Sequence, residues 1–300
     1  MSVSVQGLPS SSREAAALAT RLGTPFHEIA VHAFPDGEMR VTVGPASATT
    51  IVYASLDHPN DKLVALMFAA EALRRGGARR LVLVAPYLCY MRQDTAFTAG
   101  EAISQRVVGA LLARCFDRVV TVDAHLHRTP DIASVFPGIQ SDNLSAIPAI
   151  AETLRNGALD PATVVVGPDA ESLPWVSDLA GRLRLRHTVA TKIRHGDRSV
   201  AIEFSDRACI SGHPVLIVDD IVSSGATIVA CATALTAAGA TAIDVVVTHA
   251  LFPEAAHREM ISAGIRSVRS TRSVPHFTNA IALDELFNDA LQGELTELSP

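Results

Sequence analysis

Short apolar runs and helical apolar stripes alternate along most of the chain. The short runs are rich in valine, isoleucine and leucine, which is typical of strands buried on both faces of a sheet. Between them, apolar residues recur every three or four positions, which predicts helices. The predicted strands cover residues 39–43, 51–54, 81–85, 118–122, 163–166, 189–191, 200–204, 215–218 and 243–247. Strands that alternate with helices favour a parallel sheet covered on both faces.

The same pattern starts again in the second half of the chain. The predicted helices cover residues 11–22, 63–73, 103–112, 147–154, 173–183, 228–238 and 254–262, and an irregular region at 129–138 interrupts the series. We therefore predict an α/β fold with two similar domains, residues 1–145 and 146–300. Each is expected to be a mainly parallel sheet flanked by helices.

Residues 215–227 combine a buried strand, two acidic residues and a small-residue turn before a helix. Free N–H groups and the positive end of a helix dipole suit a phosphate, and hydroxyl side chains add donors. Asp219 and Asp220 are suited to sugar hydroxyls or a hydrated magnesium ion beside that phosphate. The alternative is a buried strand whose carboxylates only cap the next helix. The predicted phosphate loop contains Ser223, Ser224, Gly225, Ala226 and Thr227.

Composition narrows the class of protein. Of the 300 residues, 48% are hydrophobic and 19% charged, which indicates a globular chain with a sizeable core. A net charge of −6 argues against a nucleic-acid-binding protein. The four cysteines lack CxxC spacing, and we see neither a signal peptide nor an apolar run long enough to span a membrane. We therefore expect a cytoplasmic protein without membrane or nucleic-acid partners.

The stretch 215–227 resembles a motif that binds phosphoribosyl diphosphate (PRPP). Both type I phosphoribosyltransferases and ribose-phosphate diphosphokinases (PRPP synthetases) carry this motif, so it does not separate the two families. Here Ser223-Ser224-Gly225-Ala226 replaces the usual Asp-Thr-Ala-Gly. The resemblance implies that residues 219–220 and 223–227 bind ribose 5-phosphate.

Two segments of the first half resemble ATP-binding segments of PRPP synthetases. Residues 34–38, Phe-Pro-Asp-Gly-Glu, are similar to a Phe-Ser-Asp-Gly-Glu segment that reaches the ATP base from a neighbouring subunit, although an ordinary turn would read the same. Residues 90–94, Tyr-Met-Arg-Gln-Asp, are similar to Tyr-Ala-Arg-Gln-Asp. The resemblance implies a homo-oligomer, dimeric or higher, that shares ATP sites between subunits. The implied ATP-binding residues are Phe34, Asp36, Glu38, Arg92, Gln93 and Asp94.

The resemblance also implies a Mg²⁺ cofactor. Val122-Asp123-Ala124-His125 is similar to the family's Val-Asp-Leu-His, whose histidine is a magnesium ligand. Pro168-Asp169-Ala170 is similar to the start of Pro-Asp-Ala-Gly-Gly, whose aspartate is another. His125 and Asp169 are therefore the implied ligands. Glu171 and Ser172 replace the glycine pair, which suggests a divergent branch closer to archaeal-type enzymes.

Lys192 and Arg194 resemble a Lys-x-Arg pair that lies on a mobile catalytic loop in the family. Alternate residues of an extended strand project to the same side, so both cations are able to reach one phosphate. A solvated hairpin is the alternative interpretation. The resemblance implies that Lys192 and Arg194 are catalytic.

These motifs occur in the order found in PRPP synthetases and cover nearly the whole chain. The resemblance implies two phosphoribosyltransferase-like domains, with ATP on the side of residues 1–145 and ribose 5-phosphate on the side of 146–300. The implied activity is that of a ribose-phosphate diphosphokinase, which makes PRPP and AMP from ATP and ribose 5-phosphate. A phosphoribosyltransferase that consumes PRPP and a non-catalytic regulatory paralogue are the alternatives.

Overall fold

The computed structural model describes residues 3–157, 159–195, 199–204 and 206–296. The chain forms two compact units. The first contains the residues up to Ser145, Ser273–Pro275 and the segment from Leu283 onward, and the second contains Ala146–Arg272 and His276–Ala282. The segment from Leu283 thus belongs to the first unit, whereas the sequence led us to place all of residues 146–300 in the second domain.

The first unit is built on a six-stranded parallel sheet with strand order β2-β1-β5-β6-β7-β8. A separate antiparallel hairpin, β3–β4, follows β2. The strands are β1 (Val3–Gly7), β2 (Phe26–Glu28), β3 (Ala30–Ala33), β4 (Met39–Thr42), β5 (Thr49–Tyr53), β6 (Arg80–Ala85), β7 (Arg118–Val122) and β8 (Gln140–Leu144). The helices are α1 (Ser12–Leu22), α2 (Pro59–Arg75), α3 (Ser104–Cys115) and α8 (Asp284–Thr296).

The second unit contains a seven-stranded sheet with strand order β11-β10-β9-β12-β13-β14-β15. All neighbouring strands are parallel except β10 and β11, which form an antiparallel pair. The strands are β9 (Val164–Gly167), β10 (Arg186–His195), β11 (Ser199–Phe204), β12 (Pro214–Val222), β13 (Ala242–Ala250), β14 (Ile265–Thr271) and β15 (Asn279–Ile281). The helices are α4 (Ile147–Asn156), α5 (Leu173–Leu183), α6 (Ala226–Ala237) and α7 (Glu254–Ser262).

Burial of the strands follows from their composition. Every residue of β5 and β9 is buried, as expected of central strands covered on both faces. The helices present apolar stripes to these sheets, and α1 ends at Gly23, whose φ of 63° is left-handed and favours glycine. The predicted α/β class, with mainly parallel sheets flanked by helices, is confirmed. None of the helices in the described ranges is long and apolar enough to cross a membrane.

The strand that carries the acidic pair is longer than predicted. We expected it to end before Asp219, but β12 continues to Val222, and its register with β13 runs on to the pair Val222–Ala250. The strand continues because Ile221 and Val222 are apolar and β13 is long enough to pair with them. Asp219 and Asp220 therefore belong to the strand, and only the residues from Ser223 form the turn before α6.

Candidate active site

Four of the segments singled out in the sequence follow the carboxyl ends of parallel strands. In the first unit, residues 90–94 follow β6, and His125 follows the neighbouring strand β7. In the second unit, Asp169 follows β9, and residues 223–225 follow the neighbouring strand β12. Open α/β sheets bind their ligands at this edge. These four segments thus lie at the carboxyl edge of the sheet in their own unit.

Strained backbone marks this edge in the first unit. His58, Tyr90 and Asp123 have φ values of 46°, 62° and 39°, and they lie in the loops after β5, β6 and β7. Left-handed conformations are unfavourable for residues other than glycine and concentrate at functional sites. The backbone N–H of Asp123 donates to the Leu144 carbonyl at 2.8 Å, which helps to hold the third loop. Three strained loops on one edge support a binding site there.

The loop between β12 and α6 has the features of an anion site. Ser223 and Ser224 are exposed, and α6 begins directly after Gly225. Gly225 has a φ of 79°, and a Cβ at this position would lie 2.5 Å from the Met260 Cε atom. The positive φ therefore favours glycine here, and a Cβ would in addition displace the end of the Met260 side chain. The exposed hydroxyls and the first N–H groups of α6 together offer donors to an anion.

Three carboxylates interact in the second unit. Burial is the largest cause that raises the pKa of Asp219 well above its ordinary value, and the charges of Asp220 and Asp169 raise it further. The Asp220 N–H donates to Asp219 Oδ1 at 3.1 Å, and the Glu171 N–H donates to Asp169 Oδ1 at 3.1 Å. Hydroxyl donors or a cation at this position would relieve the mutual repulsion.

The loop after β6 is tied to the loop after β7. The Asp94 side chain is only 2% exposed, and its Oδ1 accepts a hydrogen bond from the Arg128 guanidinium at 3.1 Å. Its Oδ2 accepts from the Arg128 backbone N–H, also at 3.1 Å. Gln93 is half-buried, and its side-chain amide donates to the Thr95 carbonyl at 3.2 Å. Arg92 is exposed.

Arg128 was missed in the sequence because it lies 34 residues from Asp94 and belongs to none of the motifs. The only sequence signal is its position three residues after His125, in a loop that follows a buried strand. His125 itself is half-buried, and its ring stacks on that of His127 at a centroid distance of 6.2 Å.

The hairpin β3–β4 presents residues 34–38 at its tip. The Phe34 N–H donates to the Glu38 carbonyl at 2.7 Å, and Asp36 Oδ1 accepts from the Glu38 N–H at 3.1 Å. Phe34 is 40% exposed, and its ring packs edge-on against His32 at 4.7 Å. Internal hydrogen bonds therefore fix the turn while its aromatic ring stays accessible.

Lys192 and Arg194 lie at alternate positions of β10. Their backbones pair with Ile202 and Val200 of the antiparallel strand β11. Their side chains lie outside the part of the chain that the structure describes, as do residues 196–198. The backbone thus has the extended form on which the predicted convergence of the two cations depends.

The described residues contain no group of three or more His, Cys, Asp or Glu side chains arranged to hold a metal ion on their own. Magnesium is commonly bound by one or two carboxylates together with substrate phosphates. His125 belongs to the first unit and Asp169 to the second. Their joint role as magnesium ligands stays a prediction.

The two mainly parallel sheets, each with candidate ligand groups at its carboxyl edge, are typical of an α/β protein of the phosphoribosyltransferase class. Two family models match the chain accordingly. The N-terminal domain of ribose phosphate pyrophosphokinase matches residues 4–115, and the phosphoribosyl transferase domain matches residues 142–286.

Curated relatives extend over most of the chain. The ribose-phosphate pyrophosphokinase of Thermococcus kodakarensis is 33% identical over 87% of this chain and 91% of its own. That of Methanothermobacter thermautotrophicus is 32% identical over 95% of this chain and 99% of its own. This chain therefore belongs to the ribose-phosphate pyrophosphokinase family and is an enzyme of that type. The family predicted from the motifs is confirmed.

A solved structure shows the same fold. The crystal structure of phosphoribosylpyrophosphate synthetase from Mycobacterium smegmatis superposes with a TM-score of 0.85 at 23% identity, and the match covers 98% of this chain and 99% of that one. The predicted pair of phosphoribosyltransferase-like domains is thereby confirmed as the fold class.

Proposed function

We propose that this protein transfers the β,γ-diphosphoryl group of ATP to ribose 5-phosphate and releases PRPP and AMP. The anomeric hydroxyl attacks the β-phosphorus and loses its proton, a new O–P bond forms, and the bond from the β-phosphorus to the oxygen of AMP breaks. The observation that carries the proposal is the β12–α6 segment, where two carboxylates precede a glycine-dependent loop with exposed hydroxyls. Such reactions depend mainly on positioning and charge neutralisation.

Ribose 5-phosphate is assigned to the second unit. Asp219 and Asp220 would accept hydrogen bonds from the ribose 2- and 3-hydroxyls, which also relieves their repulsion. The 5-phosphate would lie against the first N–H groups of α6 and the hydroxyls of the loop. The proposed phosphate-binding residues are Ser223, Ser224, Gly225, Ala226 and Thr227.

ATP is assigned to the carboxyl edge of the first unit. Arg92 offers a planar donor fork to phosphate oxygens, and Gln93 and Asp94 lie beside it. The exposed tip of the β3–β4 hairpin, with Phe34, Asp36 and Glu38, would complete the ATP site of a neighbouring subunit. The active form would then be a homo-oligomer, at least a dimer. We place this enzyme of phosphorylated metabolites in the cytoplasm.

Magnesium fits the donor groups that are present. The negative charge of Asp169 acts on Asp219, which favours a cation beside them, and oxygen is the ligand that Mg²⁺ prefers. Asp169 in the second unit and His125 in the first are each proposed as magnesium ligands beside the substrate phosphates. When bound, Mg²⁺ neutralises charge on the transferred diphosphoryl group.

Lys192 and Arg194 would stabilise the charge that develops on the diphosphoryl group. Their alternate positions on β10 support this assignment. For Lys192→Ala we expect turnover to fall by about two orders of magnitude or more while ribose 5-phosphate binding persists. Arg186→Ala, which removes an exposed cation at the opposite end of the same strand, is the matched control. Unchanged turnover in Lys192→Ala would remove that residue from the mechanism.

The activity itself is tested by incubating the protein with ATP, ribose 5-phosphate and Mg²⁺, without any nucleobase, and measuring AMP and PRPP by chromatography. We expect equal amounts of both products. A phosphoribosyltransferase would instead need PRPP and a base, and a non-catalytic paralogue would bind the substrates without forming AMP. Either of these outcomes would contradict the proposal.

A further inference from the structure

Arg128 is an accessible cation whose position is fixed from two sides. Its side chain is 51% exposed although its guanidinium is bound to Asp94 at 3.1 Å. On another side, the guanidinium carbon lies 5.5 Å from the centroid of the Phe97 ring, within the range of a cation–π contact. About half of the Arg128 side chain thus stays accessible while both of these contacts hold it.

Asp94 is specialised for this arginine. Its buried carboxylate requires a positive partner, since an unpaired buried charge is strongly unfavourable. Both of its oxygens are used on one residue, because Oδ1 accepts from the Arg128 guanidinium and Oδ2 from the Arg128 N–H. The second bond fixes the backbone from which the arginine extends. Asp94 thus holds both the backbone and the guanidinium group of Arg128.

Hydrogen bonds to Glu101 hold the loop that carries Phe97. Phe97 is 60% exposed, yet its backbone N–H donates to Glu101 Oε2 at 2.8 Å. The Thr98 N–H donates to the same oxygen at 3.2 Å, and the Thr98 hydroxyl also binds the carboxylate. These hydrogen bonds, with the Thr98 hydroxyl as the largest cause, lower the pKa of Glu101. The loop below the arginine is therefore ordered by its own contacts.

Arg128 lies at the carboxyl edge of the first unit's sheet, where the candidate ligand groups are. Arg128 lies in the loop after β7, three residues beyond His125. Through Asp94 it contacts the loop after the neighbouring strand β6, and that loop also carries Arg92. Residues 95–101 contain no lysine or arginine, and Arg128 brings a positive charge to this loop through its contacts with Asp94 and Phe97. A guanidinium fork suits phosphate oxygens better than a base or a sugar.

We propose that Arg128 is a further phosphate-binding residue for ATP, and that Asp94 is a positioning residue that acts through it. This inference rests on the ATP side proposed above for the first unit. It predicts that the interaction depends on the polyphosphate chain of the nucleotide and not on adenosine.

The test measures equilibrium binding, by calorimetry, of the β,γ-methylene analogue of ATP with Mg²⁺ and of adenosine. Arg128→Ala is expected to weaken binding of the analogue by about 10- to 100-fold, the loss typical of one hydrogen bond between charged groups. Binding of adenosine is expected to stay unchanged. Arg128→Lys keeps the positive charge but lacks the planar donor fork. Its affinity for the analogue is expected to lie between those of the parent protein and Arg128→Ala. It also covers the case that the alanine variant does not fold, since it leaves Asp94 a cation.

Asp94→Asn tests the positioning role. We expect weaker binding of the analogue and a higher KM for ATP, with an unchanged KM for ribose 5-phosphate. When Asp94→Asn is added to Arg128→Ala, we expect no further loss of affinity for the analogue. If the ion pair were merely structural, its loss would weaken binding of the analogue and of adenosine alike. Arg114→Ala, an exposed arginine in the last turn of α3, is the control and is expected to bind both as the parent does.

Unchanged binding of the analogue in Arg128→Ala and Arg128→Lys, or an equal loss for adenosine, would overturn the proposal. Failure of the parent protein to bind the analogue would overturn it as well. Failure of the parent protein to make PRPP while it binds the analogue would instead reject the proposed function and leave the role of Arg128 in place. The two ideas are therefore separable.

Discussion

Glu294 joins the last helix of the first unit to the amino edge of its sheet, and its replacement by glutamine should weaken that unit. The residue is 2% exposed in α8. Its Oε2 accepts from Arg80 Nε at 2.6 Å, and its Oε1 accepts from Arg118 at 2.9 Å. Arg80 and Arg118 are the first residues of β6 and β7. Arg118 also donates to the Ala290 carbonyl of α8 at 3.1 Å.

The magnitude follows from how each partner is placed. Removal of one member of a buried ion pair typically costs about 3–5 kcal/mol. The lower end, about 3 kcal/mol, is expected for Glu294→Gln because Arg80 is 22% exposed and Arg118 retains its ion pair with Asp142 at 2.8 Å. For a domain of this size that corresponds to a fall in Tm of about 6–12 °C.

Urea unfolding followed by circular dichroism, together with calorimetry, measures both quantities. Glu285→Gln is the matched control, because Glu285 lies on the same helix with a 68% exposed side chain and a loose contact of 3.9 Å to Arg21. We expect the control to unfold as the parent does. If Glu294→Gln also unfolds as the parent does, the ion pairs do not hold α8 to the sheet, and the reasoning fails.

The same residue gives the parent protein a defined response to acid. Burial alone would raise the pKa of Glu294, but the hydrogen bonds from Arg80 and Arg118 outweigh it and lower the pKa below its ordinary value. The unfolded chain therefore binds this proton first as the pH falls. The contribution is complete above about pH 4.3, the ordinary value of glutamate, and is lost below it as the pH approaches the folded-state pKa. Glu294→Gln should flatten the stability curve in that range, and a parallel curve would contradict this.

Two further predictions concern the second unit and the cysteines. Gly225→Ala should destabilise the protein by about 1–3 kcal/mol and weaken ribose 5-phosphate binding, because φ is positive and a Cβ would displace the end of the Met260 side chain. Gly181→Ala, with open space around it, should do neither. Urea unfolding and calorimetry decide between these outcomes. Burial raises the pKa of Cys89 and of Cys231 to about 12, so both should resist iodoacetamide at pH 8 in the native protein, while half-buried Cys115 reacts. Peptide mass mapping that finds either buried cysteine alkylated as fast as Cys115 would contradict this.

Elements with a strong apolar signal were predictable from the sequence. The strand Arg118–Val122 and the helices Leu173–Leu183 and Glu254–Ser262 lie where the pattern put them. The strand Gln140–Leu144 was not predictable, because its sequence Gln-Ser-Asp-Asn-Leu carries no apolar alternation. It forms because it pairs with all five residues of β7, and such non-local pairing is invisible to a local pattern.

The candidate site shows the same division. Asp219 was identified from the residues around it, and His125 from the resemblance of its motif to a known family. The structure places Asp219 within a strand, and His125 after a strand, at the carboxyl edge of the sheet in its own unit. Arg128 was not identified, since its partner lies 34 residues away and only the folded sheet brings β6 and β7 together. The assignment of α8 to the first unit was missed for the same reason.

Because α8 belongs to the first unit but follows the whole of the second unit in the chain, the ribosome must synthesise the second unit before the first can close. Until then Arg80 and Arg118 have no Glu294, and the amino edge of β6 and β7 waits uncovered while the second unit is already able to assemble. Expression of residues 1–145 as a separate fragment would therefore yield a nascent sheet without its closing helix, and supplying α8 as a synthetic peptide is the natural way to restore it.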